Sequence, residues 1–192
     1  MPAFSPTQVC NLGLRQANIE PITSFDAGTR EADLCKEYYQ LSRAEILEEH
    51  SWSFATLRAT LAQAATAPLG EDWLYRYALP AAYIAMQAVI DYTDTEYRIE
   101  ADEDNRYILT NASTLMIRYT FDQDNTALWA PSFIEAVGMK VATYVVGPVK
   151  RSRTDWQRVT AMYESSLARA KTHDNRNKTP IIDREELVEA GR

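Results

Sequence analysis

The sequence predicts a mainly α-helical protein with an inserted β segment, an α+β fold. It reads as a helical bundle carrying a small antiparallel hairpin or sheet and an extended C-terminal tail. Three observations point there. Four long segments read as helices, from capping signals and from apolar residues three and four apart. Between the second and third of them, apolar and polar residues alternate in short runs divided by Asp- and Asn-rich turns. The 192 residues are 46% hydrophobic, enough for one compact unit that buries roughly 70% of its unfolded surface.

Ser5-Pro6-Thr7-Gln8 is a capping box with proline at the first helical position, so a helix runs to about Asn18. Val9, Leu12 and Gln16 share one of its faces; Cys10, Leu14 and Ala17 share another. Pro21 blocks continuation. A second helix spans about Thr29 to His50, with Asp26, Glu31 and Asp33 near its positive end. Ala32, Cys35, Tyr39, Ser42 and Ile46 form an inward stripe, leaving Glu45, Glu48 and Glu49 to solvent. About twenty residues give a rod of about 30 Å. The pattern from Trp52 to Gln63 is ambiguous, with Trp52, Phe54 and Leu57 as core candidates. The Ala-rich run through Pro68 reads as a flexible connector.

Trp73 to Leu79 alternates strictly, Trp73, Tyr75, Tyr77 and Leu79 on one face, and Pro80 ends this strand. Further strands are expected at Ala88–Tyr92, Tyr97–Ala101, Arg106–Leu109 and Leu115–Tyr119. The helix after Pro131 is apolar almost all round (Phe133, Ile134, Val137, Met139, Val141, Tyr144, Val145), the pattern of a helix at the centre of a bundle. Gly147-Pro148 should end it. The last helix runs from about Arg153 to His173, with Trp156, Val159, Tyr163, Leu167 and Ala170 inward. Asp174 to Thr179 then reads as a polar linker. Residues 1–68 and 127–173 thus form the two parts of the bundle, 69–126 the β-rich insertion and 174–192 a docking tail.

Composition narrows the function. Six glycines among 192 residues is less than half the usual ~7%, and no two have the spacing of a phosphate-cradling loop or a nucleophile elbow. Met1-Pro2-Ala3-Phe4 has neither the basic start nor the apolar run of a signal peptide, and the apolar stretch Val137–Val149 is too short and interrupted to span a bilayer. The expectation is a soluble chain made in a reducing cytoplasm, with Cys10 and Cys35 as buried thiols. Charge is unevenly spread: Lys140–Lys178 holds nine bases and three acids, Met1–Met139 nine bases and twenty acids. Such a subunit can pair head to tail with copies of itself or present one sign to a partner ring.

One set of segments is specific. Glu20-Pro-Ile-Thr-Ser-Phe-Asp26 leads into the second helix, which ends in His50-Ser-Trp-Ser-Phe-Ala55. In order there follow Trp73-Leu-Tyr-Arg-Tyr-Ala-Leu-Pro80, Tyr97-Arg-Ile-Glu100, Tyr107-Ile-Leu-Thr-Asn111 and Leu115-Met-Ile-Arg-Tyr119. Leu128-Trp-Ala-Pro-Ser-Phe133 and the Tyr-x-x-x-Leu-x-x-Ala-Lys pattern of Tyr163–Lys171 complete the series. This series resembles tail tubular protein A, the head-to-tail adaptor of short-tailed bacteriophages, through about Asn175. Ala82-Tyr83-Ile84-Ala85 departs from the polar residues the family often has after Leu-Pro.

The resemblance implies a structural virion protein and not an enzyme. It implies a ring, twelve-fold in the family, that joins the portal to the tail nozzle, neighbours tail fibres and passes genomic DNA without sequence-specific binding. No cofactor is implied.

The residues themselves offer little catalytic chemistry. Cys10, Cys35, His50 and His173 lack zinc-ligand spacing, and Asp102-Glu103-Asp104-Asn105 lacks the central glycine of a calcium loop. His50 reads as a helix-terminal residue bonding the last carbonyls. Asp91, Asp94, Glu96, Glu100, Asp102, Glu103 and Asp104 form an acidic hairpin, either simply solvated or set against the channel so that DNA slides. Lys150, Arg151, Arg153 and Arg158 are the densest basic cluster, without interleaved exposed aromatics. With Trp129 and Phe133, and with Ile181, Ile182, Leu187 and Val188 of the tail, they are the interface candidates. A DNA-binding packaging component and a wall- or polysaccharide-degrading virion hydrolase are the alternatives.

Overall fold

The computed structural model describes residues 3–68, 72–90 and 96–178. Four helices, α1 (Pro6–Gln16), α2 (Arg30–Glu48), α3 (Pro131–Lys150) and α4 (Arg153–Asn175), make a bundle. Two three-stranded antiparallel sheets lie between α2 and α3 in the chain, so the fold is α+β as the sequence patterns require. Their strands are β1 (Thr56–Thr60), β2 (Tyr75–Ala78), β3 (Tyr83–Val89), β4 (Tyr97–Ala101), β5 (Arg106–Thr110) and β6 (Met116–Phe121).

The capping box of α1 forms as expected: Ser5 Oγ accepts from Gln8 N at 3.2 Å, and Gln8 Oε1 accepts from Ser5 N at 2.8 Å. This helix buries Val9, Cys10, Gly13 and Leu14. It crosses α3 so closely that a Cβ on Gly13 would stand 1.8 Å from the Gly138 carbonyl oxygen. The expected α2 stripe, Ala32, Cys35, Tyr39, Ser42 and Ile46, is buried throughout. Glu45 is not left to solvent: it accepts from Tyr144 Oη at 2.7 and 2.9 Å and pairs with Lys140 at 3.1 Å.

Helix α3 touches α1, α2 and α4, and its nearly continuous apolar surface follows from that central place. It does not stop at Gly147-Pro148 but continues to Lys150, ending at Arg151 with φ 50°. A residue before proline normally avoids the helical region because its Cβ meets the proline Cδ. Gly147 has no Cβ, so that clash is absent and the helix continues through Pro148; the missing Pro148 N–H and the crowding of its ring against the carbonyl one turn back remain as costs. Helix α4 likewise runs past His173, and Asp174 lies inside it, 4% exposed, instead of opening a linker. Trp156 is 46% exposed, not inward; Val159, Tyr163, Leu167 and Ala170 are buried as expected.

The sheets have strand orders β1-β6-β3 and β2-β5-β4. The strand region therefore begins at Thr56, not at residue 69: β1 pairs Thr56–Thr60 with Thr120–Met116. Its burial lacks a clean alternation, which hid it in the sequence. Leu57 is 43% exposed and not a core residue. Strand β3 starts at Tyr83, ahead of the predicted Ala88, because register shifts after Tyr83 and after Met86 break the period of two. The supposed flexible connector is stitched down: Leu61 N donates to Leu115 O at 2.9 Å, Ala64 N donates to Arg76 O at 2.7 Å, and Gln63 bridges to Tyr77.

A second apolar cluster, including Leu61, Tyr77, Leu79, Ile108, Leu115 and Ile117, serves the sheets, and Phe121 packs against both this cluster and the bundle core. Polar contacts reinforce the junction. Arg43 on α2 grips Asp122 just after β6 with two bonds, Nε to Oδ1 at 2.9 Å and Nη2 to Oδ2 at 2.7 Å.

Candidate functional site

The segments that carry the sequence resemblance lie at joints of the fold. Ile22 of the Pro-Ile-Thr-Ser-Phe turn is 6% exposed and is held by Asn11, whose amide donates to Ile22 O and whose oxygen accepts from Ile22 N, both at 2.8 Å. Phe25 packs on Tyr39, with ring centroids 5.9 Å apart. At the other end of α2, the Trp52 indole donates to Ile46 O at 2.7 Å and its ring packs edge-on against Phe133 at 4.8 Å. Trp129 closes the same aromatic group and donates to Gln123 O at 3.0 Å. Trp129 and Phe133 are 2% and 0% exposed. As interface candidates they are therefore corrected: these side chains hold the subunit together and reach no surface.

Ser53 and His50 of the same box close around Asp174 of α4. Asp174 Oδ1 accepts from Ser53 N at 3.0 Å and from Ser53 Oγ; Oδ2 accepts from Lys178 Nζ at 2.7 Å and lies 3.1 Å from His50 Nε2. Lys178 also contacts His50 Nε2 at 3.1 Å and donates to Ser51 O. Burial alone would raise the Asp174 carboxyl, but the bonds from Lys178 and Ser53 outweigh it and hold it below the usual carboxylate range. Burial and the Lys178 charge push His50 below the ordinary histidine value, against the pull of Asp174. The histidine thus bonds a distant helix and not the last carbonyls of its own.

Serine, histidine and aspartate meet here, but their wiring is not that of a hydrolase. Nucleophile activation needs the serine hydroxyl on the histidine and the histidine on the aspartate. Here Asp174 is the hub, and Ser53 spends its proton on the carboxylate. The cluster is a tie between the end of α4 and the corner entering β1. Among the described residues no group of three His, Cys, Asp or Glu side chains could hold a metal.

Beside this tie opens a cleft of about 640 Å³ lined by Ser51, Ser53, Thr56, Arg58, Gln87, Arg118 and Lys178. Arg58 on β1 and Arg118 on β6 are direct cross-strand partners, an arrangement in which like charges repel. Neither makes an ion pair among the described residues, and Arg118 Nε is buried without a hydrogen-bond partner. With Lys178 offset by Asp174, two positive charges of the cleft have no counter-charge among the described residues. Nothing local in the sequence marks these two arginines as a pair, because they lie sixty residues apart and only the β1–β6 register brings them together. The strand periods could have signalled it had β1 been recognised.

The other sequence candidates fall into three groups. Lys150, Arg151 and Arg153 are exposed around the α3–α4 turn, whereas Arg158 is half-buried and donates to Gln16 O at 3.1 Å. Trp156, one helical turn after Arg153, adds the exposed aromatic that the sequence denied to this patch. Glu96, Glu100, Asp102, Glu103 and Asp104 are all exposed, Glu96 just before β4 and the others on β4 and the β4–β5 turn. Asp102 accepts from Asn105 N at 2.8 Å, Asp104 N at 3.1 Å and Arg76 Nη2 at 2.6 Å, bonds that lower its carboxyl below the usual range. Asp91 and Asp94, and Ile181, Ile182, Leu187 and Val188, lie outside the described residues.

No helix among the described residues is long and apolar enough to cross a membrane. Comparison of the chain with protein-family models and with curated proteins gives no match.

Proposed function

We propose that this chain is a structural subunit of a short-tailed phage virion, a head-to-tail adaptor. Copies of it form a ring between the portal and the tail nozzle, continuing the DNA conduit, with twelve subunits by analogy with the family. The observation that carries the reading is the ordered series of adaptor-like segments, each with an architectural task. The Pro-Ile-Thr-Ser-Phe turn seats Ile22 against Asn11, the Trp-x-Phe-Ala box forms the corner between bundle and sheets, and the Leu-Trp-Ala-Pro turn sets the start of the central helix. The described residues hold polar ties at these joints in place of a catalytic relay. Exposed Lys150, Arg151, Arg153 and Trp156 make the α3–α4 turn the first surface to assign to a partner ring, since aromatic and arginine side chains dominate interface energetics.

Negative-stain imaging of the purified chain, alone and mixed with the portal of the same virion, tests the reading. Stacked rings with rotational symmetry on the portal are expected; monomers in the absence of portal agree with assembly on a template. A chain that ignores portal rings and instead turns over a peptidoglycan or polysaccharide would overturn it.

A further inference from the structure

Resting on that ring reading, we propose that the Arg58–Arg118 cleft receives the acidic β4–β5 turn of a second copy of this chain. The two surfaces are complementary and separate. The cleft is built on the β1-β6-β3 sheet and the Asp174 tie, and carries two guanidinium groups with no ion pair among the described residues. Glu103 and Asp104 project from the turn of the other sheet, with side chains that make no hydrogen bond or ion pair among the described residues, and neither lines the cleft. A subunit with its donor and acceptor surfaces in different places joins copies head to tail, the arrangement that closes into rings.

Strand β4 supports the same conclusion independently. All five of its residues are exposed, and among the described residues β5 is its one strand partner, which leaves its other edge unpaired there. Tyr97 at 42% and Ile99 at 38% exposure share one face of it, apolar surface that nothing in the described residues covers. The turn is also set in advance: the three bonds to Asp102 fix it, so little ordering entropy is lost when it docks. Net charge argues against a nucleic acid as occupant. At −7 the whole chain repels phosphates at a distance, whereas a neighbouring acidic turn is delivered by the assembly itself. The inference assigns Glu103 and Asp104 to a subunit contact instead of to the channel wall.

The test uses the full chain assembled on its portal. Two variants reverse the charges, Arg58→Glu/Arg118→Glu in the cleft and Glu103→Lys/Asp104→Lys in the turn. Each alone should lower ring occupancy about tenfold, and combining them in one chain should restore it to within about threefold, the signature of a direct pair. A chain carrying Arg58→Cys and Glu103→Cys should give a ladder of covalent oligomers with a short bis-maleimide; Cys10 and Cys35 are buried and stay out of the reaction. Every arm retains residues 179–192. Rings that form on the portal with no ladder and no effect of reversal overturn this contact and leave the adaptor reading standing. Absence of any ring with the unaltered chain overturns both. Duplex DNA bound by the unaltered chain and released by the cleft reversal, in fluorescence anisotropy, would make a phosphate the occupant and also overturn the proposal.

Discussion

Gly13→Ala places one methyl group where the bundle has no room for it. The added Cβ would lie 1.8 Å from Gly138 O, 2.4 Å from Gly138 C and 3.1 Å from Ala142 Cβ. Ordinary contact lies near 3.5 Å, so α1 and α3 must part by about 1.7 Å. The obstacle is backbone in a central helix, so no side-chain rotation relieves it. Alanine gains about 1 kcal/mol of helix propensity over glycine. Against this stand about 1–3 kcal/mol for overpacking and the loosened packing of Val9, Leu14 and Ala17, each fully buried. With so severe a backbone clash the cost lies at the upper end, so a net loss of about 2 kcal/mol is expected, or about 4–8 °C in Tm for a chain of this size. Urea denaturation followed by tryptophan fluorescence measures it. Gly138→Ala should cost less, since its nearest obstacle, Val9 O, is 2.5 Å away. The double variant should cost less than the sum, because parting the helices once relieves both clashes. A Gly13→Ala chain of unchanged or greater stability would refute the argument.

Other perturbations follow from the polar joints. Asp122→Ala strands the Arg43 guanidinium, 11% exposed, at the junction of bundle and sheet, and should cost about 3 kcal/mol, more than Arg43→Met, by denaturant midpoint. His50 has a lower pKa folded than unfolded, so the unfolded chain takes up the proton first. Stability should fall as pH drops through about 6.5 toward the folded value, and His50→Gln should flatten that slope in melts across pH 7.5 to 5. Single reversal Arg58→Glu converts a repelling cross-strand pair into an attracting one and should raise stability by about 0.5 kcal/mol. It should do so while weakening ring assembly, which separates folding from function in one variant.

What the sequence made legible was whatever depends on local spacing. The α2 stripe from Ala32 to Ile46, the α1 capping box and the strand around Tyr77 could be read because a period or a cap is written in neighbouring residues. The apolar surface of α3 marks it as central, but its end is not legible, because a proline is a weaker stop after a residue without a Cβ and tertiary packing on three helices holds the last turn. Residue type alone suggests a surface role for Trp129 and Phe133, and their burial assigns them to the core instead. The basic cleft was invisible for a different reason. Arg58, Gln87 and Arg118 sit on three strands, and only the pairing of β1 and β3 with β6 places them on one wall.

The repelling arginines also bear on why the subunit is built this way. A cross-strand like-charge pair costs stability, and neutral side chains at either position would remove that cost. The fold does place counter-charges elsewhere: Arg43 has Asp122, Arg76 has Asp102 and Lys140 has Glu45. Among the described residues Arg58 and Arg118 have none, beside a carboxylate already committed to Lys178, and their mutual repulsion is an unfavourable electrostatic contribution. An incoming carboxylate offsets that contribution only when it reaches the cleft, so the contact gains from relief of repulsion as well as from new bonds. Such a contact should give the free subunit's stability and the ring's occupancy salt dependences of opposite sign: added salt screens the arginine pair and stabilises the monomer, while it weakens the neighbour's hold. Opposite signs of the two salt dependences, by thermal melts and by ring occupancy on the portal, are therefore required; equal signs would mean that the arginines do not face a neighbouring copy.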